Sequence, residues 1–162
     1  MTSDLQAKPA RRLVAAVLAA LLPVLLLCAC AGNTNAMQDG FYTAEAADFD
    51  EYGWKEYITI YVKDNTIVTV DYNAKNASGF IKSWDMEYMR VMNEADGTYP
   101  NEYTRGYSEA LLNRQNPDRV HVIAGATHSH TSFRLLAKAA MAQARNGDAN
   151  VVFVDLTGAQ AA

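Results

Sequence analysis

Hydrophobic and polar residues alternate most regularly over residues 57–63. Ile58, Ile60 and Val62 share one face there, and Tyr57, Thr59 and Tyr61 share the other. A period of two predicts a half-buried strand. Asp64 and Asn65 follow, two residues that tolerate positive φ, so they predict a tight turn with residues 66–72 as the returning strand. Residues 41–47, entered through Asp39 and Gly40, predict a third strand and complete an antiparallel meander. The period then changes. Trp84, Tyr88, Val91, Met92 and Ala95 recur at helical spacing, with Ser83 as the expected N-cap and Gly97 as the stop. Pro100 suits the first turn of a second helix running to Arg114, with Tyr103, Tyr107, Ala110 and Leu111 as its buried stripe. Asn116-Pro117-Asp118 breaks the chain before a short extended piece over residues 120–123. A third helix has the cleanest stripe, Phe133, Leu136, Ala137, Ala140, Met141 and Ala144, and Gly147 is its expected C-terminal stop. Residues 151–156 predict a closing strand. The expected fold is therefore α+β: a small antiparallel sheet packed with about three helices in a single domain.

The first thirty residues follow a different pattern. Lys8, Arg11 and Arg12 precede an apolar run over residues 13–27, broken by Pro23. That run is short for a membrane span and suits a signal peptide. It ends in Leu27-Cys28-Ala29-Cys30, which is similar to the bacterial lipobox. The resemblance implies cleavage before Cys30 and attachment of a diacylglycerol with palmitate-type chains to its thiol. The expected organisation is a cleaved signal peptide over residues 1–29, a lipidated tether over 30–38, the folded domain over 39–156 and a tail over 157–162. The expected place is the extracytoplasmic face of the cell membrane, held in the lipid through Cys30. An uncleaved anchor helix is the competing reading of the same residues. Cys28 leaves with the leader and Cys30 is modified, so no disulfide is expected within the domain.

Composition adds limits. Of 162 residues, 50% are hydrophobic and 20% charged, enough apolar material for one core. The formal charge is −4, and removal of the leader takes away three basic residues. Nucleic-acid binding, which needs a basic face, is not expected.

The candidate chemistry lies in Ala124-Gly125-Ala126-Thr127-His128-Ser129, between the short extended piece and the third helix. Gly125 allows a turn or a close approach of backbone to ligand, and Ala124 and Ala126 leave room. A helix start offers unpaired N–H groups and the positive end of the helix dipole, a place for phosphate. This segment resembles the Ser/Thr-Gly-Ala-Thr motif of the FMN-binding domain family, which includes pheromone-type surface lipoproteins and flavinylated subunits of the sodium-pumping NADH:quinone reductase. Further matches run in family order: Asp39-Gly40-Phe41-Tyr42, Gly53-Trp54-Lys55, Val62-Lys63-Asp64, the run from Gln115 to Val120, and Ser132-Phe133.

The resemblance implies that an FMN transferase joins FMN through a phosphoester to Thr127, with Gly125, Ala126, His128 and Ser129 around the cofactor. It also implies an electron carrier, with no catalytic residues of its own, that takes electrons from a membrane dehydrogenase or quinol-linked donor and passes them to an extracytoplasmic acceptor. Two positions depart from the family pattern: His121 stands where an Asp is usual, and Ala124 where a Ser or Thr is usual. They leave open a surface module that lacks covalent flavin and acts in ligand binding or sensing. Tyr42, Trp54, Trp84, Tyr88, Tyr107 and Phe133 are candidates to line a ring, with most of them expected in the core. His128 or His130 are candidates to contact the phosphate, and no metal site is expected. Ser129 and Thr131 are the expected N-caps of the third helix. Asp48, Asp50 and Glu51 are expected in a solvated loop.

Overall fold

The computed structural model describes residues 35–157. The expected signal peptide, Cys30, most of the tether and residues 158–162 lie outside the described residues. Of the described residues, 37–157 belong to one compact unit. Among the described residues, no helix is long and apolar enough to cross a membrane.

Four strands form one mixed sheet: β1 (Gly40–Ala46), β2 (Lys55–Lys63), β3 (Thr66–Lys75) and β4 (Val152–Val154). Their order is β3-β2-β1-β4. The meander β1-β2-β3 is antiparallel, as the alternation requires. Asp64 and Asn65 both take positive φ, 50° and 59°, and join β2 to β3. The closing strand is short and departs from the antiparallel pattern: β4 lies parallel to β1, because the third helix carries the chain back across the sheet.

Three helices accompany the sheet: α1 (Met86–Asp96), α2 (Pro100–Arg114) and α3 (Thr127–Asn146). Helix α2 packs on β3, and α3 packs on β1 and β2. The inward face of β2, Ile58, Ile60 and Val62, is fully buried. The six apolar residues of the α3 stripe are all buried, as are Tyr103, Tyr107 and Leu111 of α2. Each large side chain withdrawn from water in this way contributes about 1.5–3 kcal/mol. Gly147 ends α3 in the left-handed conformation expected of it, with φ 67°.

Helix α1 differs from its expected form in two ways. Its N-cap is Asp85, whose Oδ1 accepts the Tyr88 N–H at 3.0 Å. Ser83 is instead buried in a 3-10 turn, Lys82–Trp84, where its hydroxyl meets the Asn73 amide at 2.8 Å. That long-range bond draws Ser83 away from any cap. Nor does α1 bury a residue of its own. Trp84, the start of its expected stripe, is 66% exposed.

Candidate functional site

The small-residue segment forms a turn that three neighbours fix in place. The Ala126 N–H donates to the Ile123 carbonyl at 3.0 Å, closing residues 123–126, and Gly125 sits in that turn at φ 77°. A Cβ on Gly125 would overlap the carbonyl oxygen of Asp96 and crowd the Thr98 methyl, so the turn is pressed against the end of α1. Tyr107, fully buried on α2, holds the segment from below. Its hydroxyl donates to the Ala126 carbonyl at 3.0 Å and accepts the Ile123 N–H at 3.1 Å. Burial raises the pKa of Tyr107, against the lowering effect of that N–H, so its hydroxyl keeps its proton.

The turn ends in the first turn of α3. The N-cap is Ala126 and no side chain caps the helix. Ser129 and Thr131 are therefore not caps, contrary to the expectation from their hydroxyls. The helix begins earlier, because the turn that Tyr107 holds already sets the chain at Thr127 on a helical path. Thr131 Oγ1 bonds back to the Thr127 carbonyl at 3.3 Å instead. Thr127 is the first residue of α3 and is exposed. The first-turn N–H groups carry the positive end of a 20-residue helix.

Gly125, Ala126, His128 and Ser129 border a cavity of about 600 Å³. That lies within the range of roughly 300–1,000 Å³ usual for small-molecule sites. Its far wall is α1: Tyr88, Val91, Met92 and Ala95 all face it. The apolar stripe of α1 lines the cavity, and Met92 within it also packs against the core. Tyr103, Glu56, Lys82 and Ser132 form the inner surface, and Asp50, Glu51 and Tyr52 stand at another part of the border. Asp50 is partly spent on its own loop, where Oδ1 accepts the N–H groups of Tyr52 at 2.9 Å and Trp54 at 2.7 Å.

Among the six aromatic candidates, Tyr88 reaches the cavity. Trp54 stands behind it, with ring centroids 6.0 Å apart. Tyr42, Tyr107 and Phe133 belong to the core. Tyr103 also borders the cavity, although its spacing marks it as core, because its hydroxyl end emerges beside Ser129. His130 Nε2 lies 2.8 Å from the Val120 carbonyl, which can only accept, so Nε2 carries the proton and donates there rather than to a phosphate. His128 remains on the cavity border. His121 is exposed on the approach to the turn, and Ala124 is exposed within it. Lys82 and Glu56 carried no signal in the sequence. A lone charged residue in a strand or turn reads as surface unless something places it inside.

The donor set fits the phosphate and ring of FMN. An exposed hydroxyl stands on an uncapped helix start, and beside it a half-apolar cavity is lined by three tyrosines, a buried lysine and the hydroxyls of Ser129 and Ser132.

These features define a small α+β domain with a ligand-sized cavity at a helix start. No family model matches the chain. The 15 kDa lipoprotein of Treponema pallidum is 37% identical over 133 residues, which cover 82% of this chain and 93% of that protein. The chain belongs to the family of that lipoprotein. A protein of Clostridium perfringens known from its crystal structure superposes with a TM-score of 0.72 at 35% identity, covering 74% of this chain and 98% of its own.

Proposed function

We propose that the chain is a surface lipoprotein, anchored through Cys30, that carries FMN on Thr127 and passes electrons from a membrane donor to an extracytoplasmic acceptor. The observation that carries this reading is the Gly125-Ala126-Thr127 turn at the uncapped start of α3, opening beside the cavity. The Thr127 hydroxyl is exposed and so accessible to a transferase, and the phosphate of the product would meet the helix-start N–H groups. When bound, FMN supplies the redox chemistry. The chain's own residues hold the phosphate, flank the ring and limit water around it. The name of the Treponema relative supports the lipid anchor, and the Leu27-Cys28-Ala29-Cys30 run supports Cys30 as its site.

Co-expression of the full-length protein with an FMN transferase tests the attachment. The denatured wild-type band is expected to fluoresce as flavin, and the Thr127→Ala band to be dark. A dark wild-type band would sink the covalent reading. It would favour the second reading, a ligand-binding surface module without attached flavin, to which His121 and Ala124 already point.

A further inference from the structure

Tyr72, Glu56 and Ser129 form one hydrogen-bonded group beside the cavity. Tyr72 Oη lies 2.8 Å from Glu56 Oε1 and 2.9 Å from the Ser129 carbonyl oxygen. A phenol carries one hydrogen, and a carbonyl oxygen can only accept. Tyr72 is the donor to both, so its one hydrogen is shared between the Glu56 carboxyl and the Ser129 carbonyl. The Glu56 carboxyl also meets the Ser132 hydroxyl. Burial holds the Glu56 pKa above its usual value, against the opposing effects of Ser132, Tyr72 and Lys82.

Lys82 is a cation on the inner surface of this cavity, and Glu56 feels its charge from beyond ion-pair distance. Lys82 is 7% exposed. Its Nζ sits 4.8 Å from the Tyr88 ring centroid and 5.8 Å from that of Trp54. Among the described residues it forms no ion pair within 4.0 Å. Ring faces are weaker partners for a buried ammonium than an acceptor oxygen is. Asp50, Glu51 and Asp96 border the same cavity and give it acidic edges.

We propose that Lys82 is the ligand-binding cation of this cavity and takes the electron-rich carbonyl edge of a planar conjugated ring seated between Tyr88, Tyr103 and the Val91 and Met92 side chains. The identity of that ring as a flavin rests on the reading above.

Riboflavin, which has the ring without the phosphate, separates the two ideas. Full-length Thr127→Ala protein in detergent is expected to quench its fluorescence. Adding Lys82→Met should weaken binding by roughly tenfold, the loss of one charge-assisted hydrogen bond. Lys82→Gln, measured beside it in case the methionine variant does not fold, should show the same loss. Lys138→Met, which removes a surface ammonium outside the cavity, should leave affinity within about threefold. Equal binding with and without the Lys82 ammonium overturns the proposal, and so does an equal loss in Lys138→Met, which would mean a general effect of charge. If wild type accepts FMN on Thr127 but riboflavin does not bind the Thr127→Ala protein, the Lys82 proposal falls and the flavin attachment stands. If wild type stays dark while riboflavin binding depends on Lys82, the attachment falls and the proposal stands. Neither signal at all removes both.

Discussion

Helices α1 and α3 read alike as amphipathic sequences, and the fold uses them in opposite ways. Helix α3 sets Phe133, Leu136, Ala137 and Ala140 fully inside, against β1 and β2. Helix α1 buries none of its residues, and its apolar stripe forms one wall of the cavity. Packing explains the difference. The covered face of the sheet is occupied by α2 and α3, so α1 is left to pack on the 3-10 turn Lys82–Trp84. A hydrophobic stripe says that a face is apolar, and not what covers it. In α3 the cover is the core. In α1 the stripe faces the open space of the cavity instead.

The largest expected effect sets the two helices directly against each other. Phe133 is 0% exposed and touches both Tyr72 and Tyr107, with centroids 5.0 and 5.3 Å away. Phe133→Ala should cost about 3–5 kcal/mol in urea unfolding, through lost burial and the cavity left behind. Val91, at 51% exposure on α1, should cost less than about 0.5 kcal/mol when changed to Ala. Similar losses at both positions would break the comparison and place α1 in the core.

The next effect concerns the point where the helices meet. Gly125 lies against the last carbonyl of α1 and enters α3 two residues later. Gly125→Ala combines positive φ with overlap on backbone, and should cost about 1–3 kcal/mol. Thermal unfolding checks it. A variant as stable as wild type would mean that α1 moves away freely from the turn, and so does not help to hold it.

How much of this was legible in the sequence follows from the range of the forces involved. The meander, the Asp64 and Asn65 turn, the α3 stripe and the Pro100 helix start are all local, and each is visible within a few residues. The parallel placement of β4 depends on where α3 delivers the chain, which no window over residues 151–156 contains. The start of α1 was misplaced because Ser83 has the chemistry of a cap, while Asn73 on β3 claims it. Thr127, Gly125 and Ala126 were legible as a motif. Their support was not: Tyr107 is about twenty residues upstream and looks like any other stripe residue. Glu56 and Lys82 were silent for the same reason. A buried ionisable group is recognised by its neighbours, and those come from β2, β3, α3 and the turn before α1.

The smallest expected effect tests where the core ends and the cavity begins on the sheet itself. Glu56 follows Lys55 at the start of β2, two residues before fully buried Ile58. Its pKa is raised in the fold, mainly by burial, above the unfolded value of about 4.3. Between those two values the folded protein keeps a proton that the unfolded chain has released. Stability from this group is therefore complete below the unfolded pKa and falls as pH rises through the folded one. The carboxylates Glu87, Asp118, Asp148 and Asp155 have lowered pKa values and act in the opposite sense, losing their contribution as pH falls. A whole-protein profile mixes the two. The difference in unfolding free energy between wild type and Glu56→Gln isolates Glu56, since the other four are common to both. That difference is expected to move against wild type as pH rises from 4 toward neutrality, and then to level off. A flat difference would mean that the Glu56 carboxyl titrates as it does in water. The acid would then stand outside the wall, and the distinction between a dry core side and a ligand side of the sheet would not begin at β2.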